Sequence, residues 1–97
     1  MPKQVRFTDQ AVRKHLLRHH PACPPLVREK ILYRVIDRTW DCSIGCAVGL
    51  SIQNFVRHEL TDYEQLYRVP GLTKEEARLI IKDEVKDIIA RWAVPRP

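Results

Sequence analysis

Glycine is scarce. Only three occur in 97 residues, too few for the many tight turns of an all-β chain. Long apolar runs are missing as well. The best stretch, from Ile44 to Val56, is interrupted by Gly45, Gly49, Ser51, Gln53 and Asn54, whereas a membrane-crossing helix needs about 20 apolar residues in succession. Met1-Pro2-Lys3-Gln4-Val5-Arg6 carries no apolar segment after its basic residues, so no export signal is read there. Cysteine is limited to Cys23, Cys42 and Cys46. An odd number without an export signal points to free thiols in a reducing, cytoplasmic setting rather than to a disulfide framework.

What remains is ordinary globular composition, 44% apolar and 30% charged, in a length suited to one domain over residues 1–97. The ends, about 1–6 and 94–97, are expected to be flexible. The net charge of +5 is lopsided: residues 1–40 hold nine Lys/Arg against three Asp/Glu, and residues 41–97 eight against nine. A cationic first half suits an anionic partner, nucleic acid or an acidic protein. A solvated basic surface that aids solubility explains the same excess.

Apolar periodicity and capping residues predict an all-α fold, a single compact orthogonal bundle of about five helices. The first runs from Thr8, a fitting N-cap, to His19, with Pro21 beyond it. The second begins at Pro24-Pro25 and carries Val27, Ile31, Leu32, Val35 and Ile36 in phase through Trp40. After a break at Asp41-Cys42-Ser43, Ile44, Val48, Ile52, Phe55 and Val56 form one stripe. Gly45 and Gly49 beside it would admit close packing by a neighbouring helix. Thr61-Asp62-Tyr63-Glu64 and Thr73-Lys74-Glu75-Glu76 each fit a capping box. The last helix, Lys74 to about Trp92, is expected to bury Ala77, Ile80, Ile81, Val85, Ile88, Ile89 and Trp92, with Pro95 and Pro97 ending it.

The segment from Val56 to Leu66, with Arg57-His58-x-x-Thr61-Asp62-Tyr63-Glu64 at its centre, is the most distinctive. Together with Glu76-Ala77-Arg78 and Ala90-Arg91-Trp92 it resembles the family named domain of unknown function 2293, over about residues 44 to 92. Tyr67 stands where a second Leu is usual, and Val69-Pro70-Gly71-Leu72 makes a different turn. The resemblance implies no activity. The stretch Leu66 to Ile80 also resembles a helix-hairpin-helix element, whose hairpin N–H groups hold a DNA phosphate. Thr73 replaces its second Gly, and Glu75 and Glu76 bring negative charge, so a plain helix corner is the preferred reading there.

Three constellations could carry chemistry. His58 and Asp62 would serve as a base and its orienting partner, with Arg57 on an anion and Tyr63 donating a hydrogen bond. Helix capping and packing explain the same residues more economically, and a binding role is expected over catalysis. His15, His19, Cys23, Cys42 and Cys46 stand at spacings of four that would suit zinc, but Pro21 breaks the helix and no C-x-x-C is present. Neither a metal nor a cofactor is expected. The preferred expectation is nucleic-acid association through phosphate contacts from Arg13, Lys14, Arg18, Arg28, Arg34, Arg38 and Arg57. Its rival is a protein-interaction or oligomerisation module that meets an acidic partner. No membrane association is expected.

Overall fold

The computed structural model describes residues 4–95. They form an all-α bundle of five helices: α1 (Asp9–His19), α2 (Pro25–Ile36), α3 (Ile44–Glu59), α4 (Tyr63–Tyr67) and α5 (Lys74–Trp92). Each of three starts has a side-chain cap. The hydroxyls of Thr8, Ser43 and Thr73 accept from the N–H groups of Ala11, Cys46 and Glu76, which satisfies donors that have no partner inside the helix. At α5 the box is complete, because the Glu76 carboxylate accepts from the Thr73 N–H at 3.2 Å. α2 starts without a side-chain cap, on Pro25, whose missing N–H costs nothing at that position.

The principal core is built from α1, α2 and α3. Val12, Leu16, Ile31, Leu32, Val35, Val48, Ile52 and Val56 are all essentially inaccessible, and Trp92 closes the cluster from α5. A second, smaller cluster joins Tyr63, Ala77 and Ile81, and Val85 packs against both. α5 packs on α3 and α4 and on no other helix. The resulting molecule is a slab of 45 × 43 × 17 Å with a radius of gyration of 14.7 Å, above the ~13 Å usual for a chain of this length. A long helix with two neighbours on one side leaves its opposite flank to solvent.

Several local expectations are corrected. α2 stops at Ile36, not Trp40. Trp40 instead forms an antiparallel bridge with Val5, and Thr39 donates to the Gln4 amide at 2.8 Å, so this connection runs beside residues 4 and 5. Thr61 does not open a capping box. Its hydroxyl donates to the Arg57 carbonyl and accepts from the Tyr63 N–H, because it follows directly on the end of α3 and is drawn to that helix's free carbonyls. Gly45 and Gly49 mark no close approach. An added Cβ would find ordinary contact with His15 at Gly45 and open space at Gly49. Ile80 is 60% exposed, not buried. Gly71, at φ +85°, occupies a position that side chains resist; Pro70-Gly71 with the Leu72 N–H donating to the Val69 carbonyl makes a type II turn between α4 and α5. Pro97 lies outside the described residues.

Candidate functional site

The seven cations expected to meet a polyanion stand in different local surroundings. Arg13 is held by two carboxylates, Asp9 at 3.2 Å and Glu29 at 2.8 Å, which raise its pKa still further. Lys14 and Arg18 are exposed on α1. The half-buried Arg28 has no hydrogen-bond partner for its Nε. Arg34 pairs with Glu59 at 3.8 Å and lies over the Phe55 ring, and Arg38 stacks on Trp40 at 4.7 Å. Those last two do converge: Arg34 and Arg38 line a hollow of about 440 Å³ with Asp37, Trp40, Leu50, Ser51 and Asn54. Arg57 is elsewhere, its guanidinium 5.6 Å from the Tyr63 ring centre.

Around His58 the geometry is that of a helix junction. His58 Nδ1 meets Glu64 Oε1 at 3.2 Å, so its carboxylate partner is Glu64 and not Asp62, which is exposed. Tyr63 is buried edge-on against the His58 ring, with centres 5.0 Å apart. Neither His58 nor Tyr63 lines either of the two hollows described here. The hairpin that follows uses its own donors internally, with the Leu72 N–H on Val69 and the Thr73 N–H on Glu76.

The thiols and histidines form small local groups. Cys23 is buried in the core, where desolvation pushes its thiol up to about 11 against a weaker opposing pull from Arg28. The neighbouring Cys46 thiol, with some burial, also pushes Cys42 up to about 11. The His15 and His19 rings lie 4.4 Å apart at the end of α1. Among the described residues, no three His, Cys, Asp or Glu side chains come together as a metal site.

A second, wider hollow is one that the net charge of each half of the sequence conceals. Between α3 and α5 runs an open groove of about 730 Å³. Leu79, Ile81, Val85 and Ile89 supply its apolar lining, and Gln53 and Arg57 form the α3 wall. Its α5 rim carries Arg78, Lys82 and Lys86, with Glu75 as the sole acid. The acids that cancel this charge in the sequence, Glu76, Asp83, Glu84 and Asp87, project from other sides of the helix at 100° per residue. The signal was present in the sequence as basic residues at 78, 82 and 86, one flank of a helix whose average charge hides it. The ion pairs among the described residues involve none of these three cations.

Fold and groove together define a small helical domain with an open, amphipathic face. The chain belongs to the family described as uncharacterized conserved protein (DUF2293), whose model matches residues 15–93. That match takes in α2 and half of α1, with His20-Pro21-x-Cys23-Pro24 between them, as well as the segment from about residue 44 to 92 that carries the main motifs. No curated protein and no solved structure matches the chain. No helix among the described residues is long and apolar enough to cross a membrane.

Proposed function

We propose that this protein is a protein-interaction module whose working surface is the groove between α3 and α5. One observation carries the reading: four aliphatic side chains line a single concavity of about 730 Å³ beside a helix supported on one side only. Single exposed apolar residues are commonplace on protein surfaces. A concave apolar surface in which Leu79 is 69% exposed and Val85 and Ile89 are half-buried, with Ile81 buried beneath them, is what a partner's anchor residues fill. Site-specific photo-crosslinking in cells tests it. A photoreactive residue at Leu79 is expected to give discrete, nuclease-resistant protein adducts, and one at the still more exposed Leu26 on α2 is not. No adduct at Leu79, or the same adducts at both positions, rejects the reading.

A second reading, nucleic-acid association, has its own specific support in the Arg34–Arg38–Trp40 hollow, together with the exposed Lys14 and Arg18. Two neighbouring guanidinium groups suit a phosphate, while the Trp40 ring, buried and covered by Arg38, offers no face to a base. It stands second because Asp37 lines the same hollow and Glu59 already pairs with Arg34. Anisotropy titrations with duplex and single-stranded oligonucleotides at two salt concentrations test it, since phosphate contacts must weaken steeply with salt. Absence of binding at low salt removes it.

A further inference from the structure

We infer that the occupant of the α3/α5 groove is an acidic amphipathic helix of a partner protein. The inference rests on the proposed interaction role and specifies its partner. Three features define the occupant. The floor is aliphatic, made by Leu79, Ile81, Val85 and Ile89, so it takes aliphatic anchors at helical spacing and offers no aromatic face on which a base would stack. The rim is cationic on both walls: Arg57 from α3, and Arg78, Lys82 and Lys86 from α5, against the single Glu75. Arg78, Lys82 and Lys86 have no carboxylate partner among the described residues, so they are free to meet acids that flank those anchors.

Length follows from the helix that forms the wall. Glu75 and Ile89 are the outermost α5 residues of the groove, and at ~1.5 Å per residue they are ~21 Å apart. One partner helix of about 14 residues, roughly four turns, spans that distance. A second copy of this chain fits poorly. The acidic flank of its α5, with Glu76, Asp83, Glu84 and Asp87, offers Ile80 as the one large exposed aliphatic among those acids, too few anchors for a floor of four.

The test uses the full chain and three fluorescent 14-residue peptides: an acidic amphipathic helix with leucine anchors, its scramble, and a version with every glutamate changed to lysine. The acidic helix is expected to bind, and its affinity is expected to fall about tenfold in Lys82→Glu/Lys86→Glu, which loses two rim charges and gains two opposing ones. The same variant is expected to gain affinity for the lysine version, a gain that misfolding would not produce. Lys30→Glu, an exposed charge on α2, is expected to change neither. Equal binding of the acidic helix and its scramble, failure of the acidic helix to bind, or binding unaltered by Lys82→Glu/Lys86→Glu overturns the inference. So does an oligonucleotide that displaces the peptide and is itself weakened by the same pair. If the acidic helix fails while Leu79 still yields its specific adducts, the groove is a protein site for a partner of other chemistry.

Discussion

Val5 and Trp40 exchange two backbone hydrogen bonds, 2.7 and 2.8 Å long, and so fasten the first described residues to the connection between α2 and α3. The Trp40 side chain acts in the opposite direction. Its indole N–H donates to the Val35 carbonyl at 2.8 Å, one of the last carbonyls of α2 and therefore without a donor inside the helix. One residue thus closes a helix end, fills the core and holds the chain's beginning.

Two substitutions separate these contributions. Trp40→Ala removes the packing as well as the bond and is expected to cost about 3–5 kcal/mol. Trp40→Phe keeps most of the volume and leaves the Val35 carbonyl unsatisfied, at about 1–2 kcal/mol. Urea denaturation measures both. If Trp40→Phe proves as stable as the native chain, the indole hydrogen bond does not support the end of α2.

The two Thr-x-x-Glu segments look alike in sequence and differ in structure, which gives a second comparison. Thr73→Ala breaks a real capping box and is expected to cost about 1 kcal/mol. Glu64→Ala loses a half-exposed contact with His58 (side-chain exposures 46% and 30%) and is expected to cost less, under about 1 kcal/mol. Thermal or urea unfolding ranks them. The reverse order would mean that the α3–α4 junction, not the α5 cap, is the stronger fixture.

Helix starts were legible because their signals are local: Thr8, Thr73 and Ser43, one of three candidates in its break, cap N–H groups within a turn of themselves, and Pro25 needs no N–H at its place. What failed was decided by distant residues. Trp40 is in phase with the apolar side of α2, but a strand-like partner at Val5 claims it. Thr61 has capping spacing, but it directly follows the end of α3 and its hydroxyl turns back to Arg57. Ile80 belongs to the apolar periodicity of α5, yet no helix covers that side. The groove was hidden for a related reason. Net charge over residues 41–97 is near zero, and only the helix separates its basic flank from its acidic ones.

Thiol chemistry should follow the same geometry. The thiolate is the reacting species, and burial pushes Cys23 up to about 11 while shielding it from reagent. Cys42 is also pushed up to about 11, chiefly by the neighbouring Cys46 thiol. Cys46 is exposed and is expected to be alkylated first by iodoacetamide near neutral pH, then Cys42, with Cys23 modified only on unfolding. Peptide mass spectrometry over time reads the order. Native-state labelling of Cys23 as fast as Cys46 would contradict its place in the core.

The histidines at the end of α1 predict how stability responds to acid. Burial first, then the neighbouring charges of His19 and Arg18, lower the His15 pKa below 6.5. Burial first, then His15 and His19, lower that of His20, whose buried Nδ1 has no partner. As pH falls through 6.5 the unfolded chain therefore takes up protons that the folded one resists. Unfolding is favoured wherever the unfolded state binds more protons, so stability declines on acidification from 6.5 toward the lower folded values. Aspartate and glutamate titrate near pH 4, which leaves the interval from about pH 7 to about pH 5 to the histidines. Urea midpoints are expected to fall across that interval, and the fall is expected to flatten in His15→Gln/His20→Gln. A midpoint that rises with acid, or an unchanged slope in the double variant, would show that the end of α1 accepts protons as readily folded as unfolded.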